Sequence, residues 1–310
     1  MSRFWVPLLA AVALGACSTD EGTDGGGGGV TPGTSPATPA ALKVNVNEII
    51  FNGTTLQVNI NYLDSTPRLV DYERVPLLDT GGYIAFMIQE DALDRLFVAL
   101  ARQSDDGSLR ASTVADGGQF NRYFGGGVYA RTGDFQRPAI GTGPGAGQVS
   151  YAGSYAAVTN VDVVRGSPTD VAKPVLSGTD PVLIPAQSSR VSGDIFFNVN
   201  FLDDSINGAI YNRVLIDQSL PLADIVLVRA GIAADGTFLG GAEYNDGNNT
   251  GVGVYGGIFG GVGANSLAGL VNLDEFNKDW QNEREHGVFV LTQCGPNNTL
   301  PVCTQVAPFP

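Results

Sequence analysis

The 310-residue sequence has one histidine, His286, and only 17 lysines and arginines against 31 aspartates and glutamates. A single imidazole excludes His-based zinc sites and leaves most His-dependent nucleophile schemes without their parts. The formal net charge of −14 excludes a nucleic-acid binder, which needs a basic stripe to neutralise phosphates. Charged residues make up only 15% and hydrophobic ones 43%, enough apolar side chain to bury a core, so wholesale disorder is excluded too. The sequence contains no G-x-x-x-x-G-K-[ST], no G-x-S-x-G and no C-x-x-C. A nominal G-x-G-x-x-G runs from Gly251 to Gly256, but more strand and glycine follow it instead of the helix whose N-terminus would face a pyrophosphate. The acidic pairs Asp105-Asp106, Asp203-Asp204 and Asp274-Glu275 lack the spaced oxygens of a calcium loop and are read as turn formers. No catalytic residue, metal ligand or cofactor is therefore expected, and the composition points to a binding or structural protein.

At the amino terminus, Arg3, an apolar run from Phe4 to Leu14, and Gly15-Ala16 form a secretory signal peptide over residues 1–16. The run is too short to span a bilayer. Leu14-Gly15-Ala16-Cys17 resembles the bacterial lipobox, which implies a diacylglycerol on the Cys17 thiol and Cys17 as the new first residue. Ser18 after the cysteine implies an outer-membrane destination. Acyl chains at about 0.8 kcal/mol per buried methylene then hold the protein at the bilayer. Residues 17–41 are Gly-, Pro-, Ser- and Thr-rich and are read as a disordered tether with a reach on the order of 25 Å. With Cys17 acylated, Cys294 and Cys303 remain as a pair, which suits a disulfide in an oxidising compartment and a turn-rich loop and tail over 294–310.

Between these ends the hydrophobic period is mostly two. In an N-terminal β-rich unit over 42–136, Leu42, Val44 and Val46 alternate with polar residues, as do Leu56, Val58 and Ile60 beyond Asn52-Gly53, which signals a hairpin. Further strands are expected over 82–89, 110–115 and 127–131. Leu93, Leu96, Phe97 and Leu100 fall at helical spacing behind Asp91, a suitable N-cap, and predict one short helix there. Residues 137–148, rich in glycine with Pro138 and Pro144, read as a connection. Eight runs then follow over 149–160, 191–201, 206–216, 224–230, 237–244, 251–259, 267–273 and 287–292. Joined mainly by short turns, they fit an up-and-down antiparallel barrel over 149–293, which abolishes sheet edges by closing on itself. The expected fold is mainly β: a C-terminal eight-stranded antiparallel up-and-down barrel preceded by a smaller sheet-rich unit with one short helix. Phe197, Phe201, Tyr211, Phe238 and Phe259 are expected to fill the barrel, as small barrels pack their interior.

One stretch is more specific. Gly257-Ile258-Phe259-Gly260-Gly261, a small-residue turn containing Ala264, and Gly269 look like the hallmark of the β-barrel domains of transferrin-binding protein B and related bacterial surface lipoproteins, a group similar to the factor H binding protein barrel. Gly257, Phe259, Gly261, Ala264 and Gly269 match, while Ser266 stands where a glutamate is common. Glycine at tight bends and one aromatic filling the interior are also what a closely crossing barrel hairpin needs. The resemblance covers about half the chain and implies that the preceding unit acts as a handle-like subdomain. It also implies a non-enzymatic lipoprotein, probing for a protein or small-molecule ligand and concerned with nutrient or iron-source acquisition.

The functional expectation is thus a lipid-anchored outer-membrane binding protein displayed at the cell surface, with a membrane contact through the anchor and no nucleic-acid partner. A periplasm-facing placement is the alternative. The competing functions are a carrier of a small hydrophobe such as haem, with His286 as axial ligand, and an envelope structural or adaptor lipoprotein.

Overall fold

The computed structural model describes residues 35–62, 68–143 and 145–305. The signal peptide, Cys17, most of the tether and the last residues of the tail lie outside the described residues. The regular structure of the described residues is mainly strand, sixteen strands in two sheets.

The first sheet is a seven-stranded meander: β1 (Val46–Phe51), β2 (Leu56–Ile60), β3 (Val70–Arg74), β4 (Ile84–Ile88), β5 (Phe97–Gln103), β6 (Leu109–Asp116) and β7 (Gly125–Arg131), each paired antiparallel with the next. It curls until its two edges nearly meet, where the Asn45 amide donates to the Gly125 carbonyl at 3.1 Å. The second sheet comprises β8 (Gln148–Asp162), β9 (Ser188–Asn200), β10 (Ser205–Leu215), the short β11 (Leu220–Pro221), β12 (Ile225–Gly231), β13 (Thr237–Tyr244), β14 (Gly251–Gly260), β15 (Ser266–Asp274) and β16 (Arg284–Gln293). β16 pairs with β8, β8 with β9, and β9 with β10, so eight strands close into an antiparallel barrel with β11 as an appendage of β10. The eight expected strands occupy their places to within a few residues.

Three apolar clusters follow from this arrangement. The barrel interior is filled by Tyr151, Phe197, Phe201, Phe238, Tyr255 and Phe259 among others. A second cluster lies between the units, where Leu78 and Tyr83 from the β3–β4 connection and Val98 and Leu100 of β5 meet Val158, Leu270, Val288 and Val290 on the outside of the barrel. A third, with Phe51, Tyr72, Phe86 and Phe97, fills the curl of the first sheet. The two units are also bolted by polar contacts: the Tyr83 hydroxyl donates to Ser154 O at 2.9 Å and accepts from the Val290 amide at 2.8 Å.

Four expectations are corrected. The helix over 91–100 is absent: its first residues form a turn and Phe97 begins β5. Phe97, Ala99 and Ala101 enter the cluster inside the curl while Val98 and Leu100 enter the one against the barrel. A strand buried on both faces reads as a continuous apolar run, which periodicity cannot distinguish from a helix. The first strand starts at Val46 and not at Leu42, because Ala40–Lys43 form a single helical turn, α1, that buries Leu42. The tether does not extend to residue 41: Ser35 Oγ accepts from the Arg131 amide at 2.9 Å, and Thr38 Oγ1 accepts from the Tyr129 amide at 3.1 Å. Tyr211 is outside the barrel, packed on Phe196 with ring centroids 6.0 Å apart. Ile206 and Ile210 point inward, so strict alternation sends Tyr211 outward.

The hallmark residues form the β14–β15 hairpin. Gly257 pairs with Gly269 across the ladder; a Cβ on Gly269 would lie 2.2 Å from Gly256 O and 2.4 Å from the Phe289 ring. Gly261 turns the chain at φ +73°, with Asn265 Oδ1 occupying the place a Cβ would take. Phe259 is buried in the barrel, and Ala264 O accepts the Tyr151 hydroxyl. Cys294 and Cys303 are joined in a disulfide, Cα atoms 5.4 Å apart.

Candidate functional site

Strand direction gives the molecule two poles. The β6–β7, β8–β9, β13–β14 and β15–β16 connections gather at one, and the β9–β10, β12–β13 and β14–β15 turns at the other. Ser35 meets β7 at Arg131, and Arg131 Nη1 donates to Asp235 O and Phe259 O, both at 2.9 Å. The chain therefore enters the folded unit at the pole opposite the β6–β7 turn.

At that turn, Gln119 and Arg122 exchange two backbone hydrogen bonds of 3.0 Å, and Phe120 and Asn121 between them have φ of +54° and +55°. Two consecutive left-handed residues make the two-residue hairpin turn favoured by strand twist. Asparagine adopts that conformation readily, whereas a bulky aromatic does so at a cost. The result is a Phe120 side chain held 49% exposed at the tip.

The turn is fastened from below. Arg95 is buried; its Nη2 donates to Gln119 O at 2.8 Å, its Nη1 to Arg122 O at 3.1 Å and to the Asp116 carboxylate, and its guanidinium lies 4.8 Å from the centre of the Phe124 ring. Burial pushes the Asp116 carboxyl up to about 6, against the Phe124 amide and Arg95, which favour the charged form. The Gln119 side-chain amide donates to Leu93 O at 3.0 Å and Leu183 O at 2.7 Å, tying together three segments distant in sequence.

Three clefts open at this pole. The first, about 770 Å³, is the mouth of the curled sheet, floored by Val58, Tyr72 and Phe97 and rimmed by Leu93, Phe120 and the exposed Arg68–Glu90 pair. The second, about 740 Å³, lies between the β6–β7 turn and the barrel and shares Gln119 and Phe120 with the first. The third, about 580 Å³, sits at the barrel end and shares Asn282 and Arg284 with the second. Shared walls make them one continuous strip crossing both units, with an aliphatic and aromatic floor under a mixed rim at one end and acidic walls at the other.

His286 lies beside this strip, not in it. It is buried between barrel and first sheet, stacked on Tyr123 with centroids 5.5 Å apart and planes 10° from parallel, and neither ring nitrogen has a partner among the described residues. Burial, with Arg284 nearby, lowers its pKa to about 3. His286 is therefore a buried neutral imidazole on the outside of the barrel wall, and the barrel interior is packed with aromatics. Both facts remove the basis for interior haem ligated by His286.

The sequence marks Val58, Leu93 and Phe97 as packing residues and Asp274-Glu275 as a turn, but it does not single out Arg95, Asp116, Gln119 or Phe120, which build the turn at this pole. The one available signal was Gln119-Phe120-Asn121-Arg122, where Phe occupies a turn position normally held by Asn, Asp or Gly.

No protein-family model matches the sequence, and no curated protein matches it. Among solved structures the chain is similar to transferrin-binding protein B of Haemophilus parasuis at 13% identity and a TM-score of 0.36, over 77% of this chain and 50% of that one. It is likewise similar to the Neisseria meningitidis protein at 14% identity and a TM-score of 0.32, over 77% and 49%. A structure described as a surface lipoprotein aligns at 14% identity and a TM-score of 0.35, over 84% of this chain and 96% of that one. The chain spans about half the length of the first two.

Proposed function

We propose that this chain is a non-enzymatic, lipid-anchored surface protein that captures a protein partner along the strip of clefts at the pole far from its amino-terminal entry. The observation that carries the reading is Phe120: an aromatic kept exposed in a left-handed turn, at a cost of order 1–3 kcal/mol, where two clefts meet. Stability alone selects asparagine or glycine at such a position. Support also comes from the polarity of the molecule, since Ser35, the first described residue, lies at the pole opposite the clefts. Loops held by a rigid barrel and a buried Arg95–Asp116 pair suit recognition without rearrangement.

The test is photo-crosslinking in intact cells with a photoreactive phenylalanine analogue at position 120 and, as control, at exposed Leu202 in the β9–β10 turn of the other pole. The reading expects one defined protein adduct from position 120 and none from 202, and expects the protein to leave the membrane fraction in Cys17→Ser. Equal adducts from both positions, or none, refute it.

A further inference from the structure

We infer that the acidic cleft at the barrel end receives a basic side chain, lysine or arginine, of the partner; this rests on the proposed recognition strip and specifies the chemistry of its second end. The cleft is walled by four carboxylates, Asp246, Asp274, Glu275 and Glu283, and by two cations, Lys278 and Arg284. Both cations are committed. Lys278 Nζ is 2.7 Å from Asp246 and lies 4.7 Å from the centre of the Tyr244 ring, and Arg284 is 2.5 Å from Asp274. Glu275 and Glu283 are left without a countercharge in the cleft.

Glu283 is the deciding residue. It is only 5% exposed; one carboxylate oxygen, Oε1, accepts the Asn277 amide at 3.0 Å, while Oε2 is buried and has no partner among the described residues. A buried charged oxygen without a donor is costly, and the cost is relieved by a donor that is itself cationic. The open valence is a single oxygen, and no group of three His, Cys, Asp or Glu among the described residues is disposed to hold a metal. That favours an ammonium or guanidinium, which brings several N–H donors, over a divalent ion, which needs six or more oxygens. A volume of about 580 Å³ exceeds what one ion fills and accommodates the head of a long side chain. Charge complementarity agrees: a chain of net −14 draws a basic patch toward it and speeds encounter at low salt. The source is a side chain and not a free amine because the cleft continues, through Asn282 and Arg284, into the strip that leads to Phe120.

The experiment is an NMR titration of the ¹⁵N-labelled full chain with N-acetyl-arginine amide, N-acetyl-lysine amide, the uncharged N-acetyl-citrulline amide, spermidine and calcium chloride, read at the Gly251, Gly253 and Asn282 backbone amides. Saturable shifts with the two cationic amides and none with citrulline amide are expected. Binding weakens about tenfold in Glu283→Gln, which keeps an oxygen for the Asn277 amide, and weakens less in Glu275→Gln. Glu275→Gln also reports on the cleft should Glu283→Gln fail to fold. No saturable shift with either cationic amide, equal binding of citrulline amide, or shifts with calcium alone overturn the assignment. Spermidine binding about a hundredfold tighter than either amide would overturn the partner side chain in favour of a free polyamine. Each of these outcomes is independent of crosslinking at position 120, so loss of the cation site and loss of the recognition strip are distinguishable.

Discussion

Arg213 and Glu285 form an ion pair 2.6 Å long inside the barrel, with neither side chain exposed to solvent. The Tyr155 hydroxyl donates to the other Glu285 oxygen at 2.6 Å, and Arg213 Nη1 donates to Ala223 O at 2.6 Å. Removing one partner of such a pair strands a buried charge and costs about 3–5 kcal/mol, whereas apolar replacement of both is often neutral. Glu285→Gln and Arg213→Met are each expected to lower the urea midpoint strongly, and Arg213→Met combined with Glu285→Leu to recover much of the loss. A double variant no more stable than the singles would show that the pair itself holds the barrel together.

The Gly257–Gly269 crossing gives a steric prediction. Gly269→Ala forces a Cβ to within 2.2 Å of Gly256 O, and Gly257→Ala to within 2.4 Å of Ala268 O. Both contacts are backbone and cannot move aside, so each substitution is expected to destabilise by about 1–3 kcal/mol or more. Gly241→Ala, whose Cβ would meet nothing within 4 Å, is the control. Thermal melting decides; equal midpoints for all three would remove the close-approach account of the hallmark.

His286 is expected to make the protein acid-sensitive. Its folded pKa of about 3 lies below the unfolded value of 6.5, so between these pH values the unfolded chain binds the extra proton and stability falls as pH drops. The slope contributed is about 1.4 kcal/mol per pH unit. Asp116 acts in the opposite sense: its pKa of about 6 lies above the unfolded 3.8, so stability rises as pH falls between those values. His286→Phe is expected to flatten or reverse the acid limb of stability between pH 6.5 and 3.8. An unchanged limb in chemical denaturation would place the acid sensitivity elsewhere.

Phe120 separates stability from function. Phe120→Asn relieves a left-handed aromatic and is expected to stabilise the protein by about 1 kcal/mol while weakening partner capture at least tenfold. Melting temperature together with binding of the crosslinked partner reads both effects. A variant that loses stability would mean that the Phe120 ring is held by packing and not presented.

Much of the barrel was legible because a small closed sheet imposes the simplest pattern: one face inside, one outside, period two, with turns between. Ile195, Phe197, Val199 and Phe201 alternate visibly with Phe196, Asn198 and Asn200, and they point inward as that pattern requires. β5 misled for the complementary reason, since both of its faces are buried. β3 was missed: only Tyr72 of Val70–Arg74 is buried, so the strand carries almost no apolar signal. β10 shows a subtler limit, because a register shift between Tyr211 and Val214 reverses the alternation and brings Arg213 into the interior where an apolar residue would be expected.

What the sequence by itself determined is local: strand periodicity, turn chemistry, the glycines that let β14 and β15 cross, and the cysteine pair that bonds. What only the tertiary structure decided is which distant residues share a dielectric. Arg95 with Asp116, Arg213 with Glu285, His286 with Tyr123, and the unpaired oxygen of Glu283 acquire their energies from desolvation, which depends on every element packed around them and leaves no periodic trace along the chain.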